Sequence, residues 1–145
     1  MRRFHSHSPE ETVGFGKAFA GSLRPGDVVA IMGNLGTGKT QFVSGVCEAL
    51  DARGHVGSPT FTLINEYPTS FGAVVHVDMY RLNVREEIRE LGLEEYFNDR
   101  YICLIEWAEL VLDFLPKRHY AVRMEYGASD LEREITVVAP EEVVA

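Results

Sequence analysis

A glycine-rich stretch, GNLGTGKT, occupies residues 33–40 and has the spacing G-x-x-x-x-G-K-[ST]. In such a loop, successive backbone N–H groups surround an anion, and the next helix adds the positive end of its dipole. Lys39 is suited to contact the β and γ phosphates of a nucleotide, and Thr40 offers a hydroxyl to Mg²⁺. The residues expected to bind the nucleotide here are Gly33, Asn34, Leu35, Gly36, Thr37, Gly38, Lys39, Thr40 and Gln41.

The segments on either side of this loop support the same interpretation. Residues 27–32, DVVAIM, form a short apolar run bounded by turn residues, which predicts a buried strand. Residues 41–50 repeat apolar side chains at helical spacing. The alternative is a glycine-rich turn before an ordinary helix, but the order strand, loop, helix favours phosphate binding.

Two carboxylates end apolar runs elsewhere in the chain. Asp78 ends AVVHVD, and Glu106 ends YICLIE. A charge beside a buried strand is costly unless it has a partner, and nucleotide hydrolysis needs both a carboxylate near the metal and a group that orients water. Asp78 and Glu106 are therefore candidates for these roles, although either could simply face solvent at a strand end.

The sequence also bears on the choice of nucleotide. No N-K-x-D stretch of the kind that reads guanine is present, which favours adenine. The sequence also shows no long insertion with clustered arginines that could close over a second phosphorylated substrate.

Length and composition indicate the kind of protein in which these residues lie. The chain has 145 residues, of which 46% are hydrophobic and 25% charged, and this predicts a single globular domain of ordinary size. The net charge of −8 argues against a broad nucleic-acid-binding surface. Cys47 and Cys103 lie in apolar runs and are expected to be buried, reduced thiols. We see no signal peptide and no membrane span, so we expect a cytoplasmic protein.

The first helix has a clear start signal. Ser8 is the predicted N-cap, and Glu11 is its predicted reciprocal partner in a capping box. Phe15, Ala18, Phe19 and Ser22 recur at helical spacing and are expected to share one face of this helix.

Alternating and apolar patterns predict the remaining elements. Residues 61–67 and 73–80 read as strands that form a hairpin, and residues 101–107 as a further buried strand. Period-two alternation over residues 120–126 and 131–139 predicts a closing antiparallel hairpin. Short helices are predicted over two ranges, 83–91, ended by Gly92, and 108–115, ended by Pro116.

Several blocks occur in an order that resembles one family. GNLGTGKTQFVSG, GSPTFTLINEY, VVHVDMYRL, ELGLEEYF and ICLIEWAE are similar to the TsaE family, formerly called YjeE, which consists of small bacterial P-loop ATPases. The resemblance runs over nearly the whole chain. It implies one P-loop NTPase domain of the α/β class over residues 1–145, with a mixed sheet flanked by helices and with antiparallel hairpins.

The resemblance also implies a function. TsaE proteins work with TsaB and TsaD to form N6-threonylcarbamoyladenosine next to the anticodon of tRNAs that read codons starting with A. They bind the TsaB–TsaD pair and hydrolyse ATP with Mg²⁺, which allows repeated turnover of the complex. The partner proteins, rather than this acidic chain, are then expected to carry most of the tRNA contact.

Residue roles follow from the same resemblance. Thr40 and Glu106 correspond to the family's magnesium ligands. Asp78 corresponds to an aspartate near the γ-phosphate, which acts on the metal's water or on the attacking water. Lys39 corresponds to the phosphate-contacting lysine. Residues 58–60, Ser-Pro-Thr, correspond to a switch-like segment in which Thr60 faces the γ-phosphate.

Four further positions are assigned less directly. Thr12 and Arg133 correspond to positions that line the adenine, although Thr12 could be an exposed residue of the first turn and Arg133 a strand residue facing water. Trp107, the only tryptophan, is expected near the nucleotide or else in the core. Arg81 is a candidate arginine finger in cis, or a partner-facing or structural residue.

Two other functions remain open from the residues alone. A small-molecule P-loop kinase would need an acceptor pocket and a lid, for which 145 residues leave little room. A nucleotide-sensing module that does not hydrolyse ATP would need only the phosphate loop.

Overall fold

The computed structural model describes residues 1–54, 64–79 and 89–142. Two α-helices of this part of the chain are α1 (Pro9–Ala20) and α2 (Lys39–Ala49). Its strands are β1 (Arg2–Ser6), β2 (Val28–Gly33), β3 (Ile64–Pro68), β4 (Ala73–Asp78), β5 (Tyr101–Glu106), β6 (Tyr120–Tyr126) and β7 (Arg133–Val138).

The strands form one seven-stranded mixed sheet in the order β1-β7-β6-β2-β5-β4-β3. The central strand β2 is parallel to β5 and β6, and β5 is parallel to β4. Antiparallel pairing occurs toward the edges, between β3 and β4, β6 and β7, and β1 and β7. The predicted α/β fold, a mixed sheet with antiparallel hairpins, is confirmed.

Both faces of the sheet are covered, which explains the unbroken apolar runs in the sequence. Strands buried on both faces lack the alternation of half-exposed strands. Helices α1 and α2 pack on one face, where Phe19 and Phe42 meet β2 and β5 side chains. Short 3₁₀ turns cover the other face, with Leu93, Ala108 and Val111 buried against it.

The start of α1 differs in one detail from the predicted capping box. Ser8 is the N-cap, and its hydroxyl accepts from the Glu11 N–H at 3.1 Å, as expected. The Glu11 carboxylate, however, accepts from the N–H of His7 at 2.8 Å, one residue before the N-cap. The same carboxylate oxygen also lies 3.1 Å from the His7 ring, so His7 supplies two contacts at this position. The prediction of a reciprocal bond to Ser8 was therefore wrong.

Helices α1 and α2 touch through glycines. A Cβ atom on Gly16 would lie 2.3 Å from the carbonyl oxygen of Phe42, and one on Gly45 would lie 2.0 Å from that of Val13. The two backbones approach each other this closely because neither glycine carries a side chain. Gly16 faces α2 at this contact, and Ala18 is exposed while Phe19 is buried, so Ala18 does not join the buried face of α1.

One strand was missed, and two other predictions needed correction. Strand β1 was not predicted, because its only large apolar residue is Phe4. The strand predicted over residues 101–107 stops at Glu106, since Trp107 has a left-handed backbone with φ of 59°. The helix predicted over 108–115 is instead a pair of 3₁₀ turns, Ala108–Leu110 and Leu112–Phe114.

Of the remaining predictions about secondary structure, some are confirmed and others fall on residues that the structure does not describe. Gly92 is left-handed with φ of 65°, as a helix-ending glycine should be. Both hairpins form. Residues 61–63 of the predicted first hairpin strand, and most of the helix predicted over 83–91, lie outside the described residues.

Cys47 and Cys103 are free and buried, and removal from water raises the thiol pKa of each to about 12. The prediction of buried, reduced thiols is confirmed for the folded chain. In the described ranges, no helix has both the length and the apolar character to cross a membrane.

The glycine contact between the helices gives a stability prediction. Gly45→Ala should lower the free energy of unfolding by about 1–3 kcal/mol, because its new Cβ would meet a backbone carbonyl. Gly14→Ala is the matched control, since a Cβ there meets no atom within 4 Å. It should raise the free energy of unfolding by about 0.4–1 kcal/mol. Urea unfolding measures both, and equal effects of the two variants would contradict the close helix contact.

Candidate phosphate-binding site

The glycine-rich loop links the end of β2 to the start of α2. Gly38 is the N-cap of α2, with φ of 97°, a conformation that side-chain-bearing residues rarely adopt. A Cβ on Gly33 would lie 2.5 Å from the carbonyl oxygen of Met124, so this position needs glycine for space. No side chain caps the helix, which leaves the first N–H groups of α2 directed into the loop.

The Lys39 side chain folds back over this loop. Its ammonium donates to the carbonyl of Gly33 at 2.6 Å and to that of Asn34 at 3.0 Å. An ammonium has three hydrogens, so these two bonds leave one for a phosphate oxygen. The residue is 5% exposed, and the loop carbonyls hold its charge at the cleft.

The surroundings of Lys39 combine burial with opposite charge. Burial is the largest influence and lowers the ammonium pKa, while Glu106, Glu109 and Asp78 partly restore it. The indole of Trp107 lies 4.0 Å from the ammonium, within the range of a cation–π contact. Trp107 therefore borders the cleft and contacts the lysine directly.

Asp78 and Glu106 lie side by side across the cleft from the loop. They are register partners at the ends of the parallel strands β4 and β5. Asp78 is 8% exposed and Glu106 is 3% exposed. The Thr40 hydroxyl lies 3.3 Å from each oxygen of Glu106. Hydroxyl and carboxylate oxygens are hard donors that suit Mg²⁺, so the donor set fits that ion.

Sequence reasoning missed two residues behind Glu106. His76 lies 2.5 Å from a Glu106 oxygen through Nε2, and its Nδ1 lies 3.2 Å from the Tyr67 hydroxyl. A signal for His76 was present, because it precedes Asp78 by two residues and so shares its strand face. Tyr67 could be placed only with the strand register known.

Two cavities meet at the loop. One is lined by Leu35, Gly36, Gly38, Lys39, Thr40, Gln41, Asp78, Glu106 and Trp107. The other is lined by Ser8, Pro9, Thr12, Gly36, Thr37, Gly38, Gln41, Leu131 and Arg133. Gly36, Gly38 and Gln41 belong to both, so the charged cleft and the second cavity, which we call the base-side pocket, lie on either side of the loop.

Thr12 and Arg133 both reach the base-side pocket. Thr12 is buried, with its hydroxyl 2.7 Å from that of Ser6, so it is not an exposed residue of the first turn. Arg133 donates to the carbonyl of Gly36 at 3.1 Å, which ties β7 to the loop. Sequence reasoning did not include Ser8, Pro9 and Leu131, and their types gave no signal.

Other predicted residues act on the loop itself or lie elsewhere. Thr37 is buried and donates to the carbonyl of Asn34 at 2.8 Å, so its side chain braces the loop. Leu35 is 65% exposed at the loop tip. Thr60, with the rest of residues 58–60, and Arg81 lie outside the described residues.

A strand, a glycine-rich loop and a helix that begins Lys-Thr, facing carboxylates at the ends of neighbouring parallel strands, define the P-loop class of proteins. Within that class the sequence matches the family described as "Threonylcarbamoyl adenosine biosynthesis protein TsaE" over residues 6–135. The chain belongs to the TsaE family, and the resemblance found in the sequence is confirmed.

Individual relatives agree with this assignment. A protein of Bacillus subtilis named tRNA threonylcarbamoyladenosine biosynthesis protein TsaE is 40% identical over 137 residues, which cover 94% of this chain and 85% of the relative. A protein of the same name from Haemophilus influenzae is 36% identical, covering 96% and 91%. The crystal structure of Bacillus subtilis YdiB superposes with a TM-score of 0.80 at 36% identity, covering 95% of this chain and 84% of that one.

The Lys39–Trp107 contact gives a spectroscopic prediction. Nucleotide phosphates that draw on the Lys39 charge should change the emission of the single tryptophan, Trp107, because the ammonium lies on its ring. MgATP and MgADP should produce a saturable change in tryptophan fluorescence. AMP is the control, since it lacks the β and γ phosphates. An emission spectrum that MgATP leaves unchanged would contradict the placement of Trp107 at the phosphates.

Proposed function

We propose that this chain is the ATP-binding and ATP-hydrolysing subunit of the TsaB–TsaD–TsaE machinery that forms N6-threonylcarbamoyladenosine in tRNA. One observation carries the proposal: Lys39, Thr40, Asp78 and Glu106 converge on one cleft beside the glycine-rich loop. The names of the relatives supply the pathway. In this proposal residues 1–145 act as one domain, in the cytoplasm, and contact tRNA only through TsaB and TsaD.

The two cavities suggest how ATP lies on the protein. The charged cleft suits the phosphates, because it holds the buried ammonium and the N-terminus of α2. The base-side pocket is less charged and suits the adenine, with Thr12 and Arg133 at its wall. The shared loop residues Gly36 and Gly38 then lie beneath the phosphates that join the two ends.

The proposed chemistry assigns one task to each polar side chain. Lys39 neutralises charge on the β and γ phosphates with its remaining hydrogen. Thr40 and Glu106 hold Mg²⁺ through oxygen atoms, and the bound ion would offset negative charge on the phosphates. Asp78 accepts a hydrogen bond from water in the cleft, whether that water is on the metal or attacks the γ-phosphate. Thr60 is proposed to face the γ-phosphate.

We expect hydrolysis by the isolated chain to be slow. Rapid phosphoryl transfer often depends on an arginine finger that contributes about 10³–10⁵ in rate. Arg81 is the one candidate in the sequence, and the partners could supply such a group instead. Residues 58–60 are proposed to respond to the γ-phosphate and so to give the partners two surfaces to distinguish.

Removing the lysine charge tests the phosphate site. Lys39→Ala should weaken ATP binding by about 10- to 100-fold and abolish phosphate release, because a charge-assisted hydrogen bond to phosphate is lost. Lys17→Ala is the control, since Lys17 pairs with Glu48 on the helix surface. Calorimetry and a phosphate-release assay measure the two effects. If Lys39→Ala retained normal affinity and turnover, the phosphate-loop assignment would be refuted. Wild-type protein that binds ATP without releasing phosphate would favour the sensing module.

Substitutions of the two carboxylates should cause different defects. Glu106→Gln should reduce the Mg²⁺-dependent part of ATP affinity, because a proposed metal ligand loses its charge. Asp78→Asn should leave binding close to normal and lower the rate of phosphate release, because the amide is a poorer hydrogen-bond acceptor for water. Titration calorimetry with and without Mg²⁺, together with single-turnover assays, separates binding from rate. Identical defects in both variants would contradict the division of roles.

A further inference from the structure

A row of buried hydrogen bonds runs across three strands to the phosphate site. It begins on β3 at the Tyr67 hydroxyl, which lies 3.2 Å from Nδ1 of His76 on β4. Nε2 of His76 lies 2.5 Å from Oε2 of Glu106 on β5. The Glu106 carboxylate then meets the Thr40 hydroxyl at the start of α2. The row therefore leads from the sheet edge to the residues proposed to hold Mg²⁺.

The side chains in this row of hydrogen bonds are almost completely shielded from water. His76 is 0% exposed, Glu106 3% and Tyr67 5%. A buried carboxylate is costly unless hydrogen bonds replace its water. Within the described residues, every buried side-chain nitrogen and oxygen has a hydrogen-bond partner. His76 is thus part of what allows a negative charge at Glu106 to exist inside the fold.

The carboxylate of Glu106 fixes the direction of its bond with His76. An ionised carboxylate only accepts hydrogen bonds, so Nε2 of His76 must carry a hydrogen and donate it to Glu106. Nδ1 accepts from the Tyr67 hydroxyl when the ring is neutral and donates to it when the ring is protonated, so the two groups pair in either state. The bond to Tyr67 at one ring nitrogen and the bond to Glu106 at the other together set the orientation of the ring.

We propose that His76, oriented by Tyr67, is a positioning residue for the magnesium site, which holds the Glu106 carboxylate in the orientation that faces Thr40. This inference rests on the proposed function. A carboxylate that can rotate presents its oxygens to the metal only part of the time. The hydrogen bond at Oε2 fixes the plane of the group. Partners of this kind behind a metal ligand commonly contribute 10–100-fold in metal affinity.

Two substitutions at His76 separate positioning from packing. His76→Gln keeps an N–H that can reach Glu106, whereas His76→Leu fills the space without a donor. Calorimetry measures ATP affinity with Mg²⁺ and with a chelator, and thermal unfolding without ligand reports the fold. We expect His76→Leu to lose about 10–100-fold in affinity with Mg²⁺ and nothing with the chelator. His76→Gln should recover most of that loss. We expect this difference in affinity also where the two variants unfold at similar temperatures, because it then cannot come from a difference in stability.

Tyr67→Phe provides a second variant that keeps the ring and removes only the hydroxyl. It should show a smaller loss in the same direction, with Mg²⁺ and not with the chelator. If His76→Leu does not fold, this variant decides the question, and unchanged affinity in both conditions would overturn the proposal. Equal losses with and without Mg²⁺ at His76 would also overturn it, because they indicate a packing role.

The same measurements test the role of His76 and the proposed magnesium site independently. If wild-type protein binds ATP equally well with Mg²⁺ and with the chelator, the proposed magnesium site itself fails. If the wild type depends on Mg²⁺ and His76→Leu depends on it equally, the magnesium site stands and the role of His76 fails.

Discussion

The structure depends on a buried ammonium, that of Lys39, held at the end of the central strand. Burial opposes its charge and lowers its pKa, while the nearby carboxylates and the loop carbonyls favour the charged form. Such an arrangement persists only when each charge keeps its partners in place. The parallel strands keep the carboxylates in place, because β4 and β5 end in register at Asp78 and Glu106.

Elements far apart in the sequence complete the site around this charge. The glycine contact with α1 holds α2 close, and α2 carries Lys39 and Thr40 on its first turn. The same helix α1 brings Thr12 to the base-side pocket. From the other end of the chain, Arg133 and Tyr126 hydrogen-bond the carbonyls of Gly36 and Leu35. The first helix and the last hairpin therefore hold the loop from two sides.

The sequence predicted the features that local patterns encode. Continuous apolar runs marked the central strands, and glycine spacing marked the loop, because burial on both faces and phosphate access leave direct traces in residue type. Features that depend on pairing left no such trace. Tyr67 joins the site only through the register of β3 with β4, and β1 is held by β7 with Phe4 as its one large apolar side chain. Ala18 does not join the buried face of α1, whereas Gly16, a residue without hydrophobic signal, faces α2.

The acidic chain has few features of a direct tRNA-binding protein, with a net charge of −8. In the proposed function, its contribution to tRNA modification passes through partner proteins that sense the nucleotide. A conformational signal of this kind requires that ATP and ADP differ in their contacts with the chain, since a ligand shifts an equilibrium only by its differential affinity.

The most direct test of this account is the affinity of the chain for the purified TsaB–TsaD pair, measured with MgATP, with MgADP and with a non-hydrolysable ATP analogue. We expect the affinity to depend on the nucleotide, with the analogue and ADP giving different values, and phosphate release to be faster in the complex than in the free chain. An affinity that is the same with all three nucleotides, together with rapid hydrolysis by the free chain, would contradict the account and indicate an enzyme that acts alone.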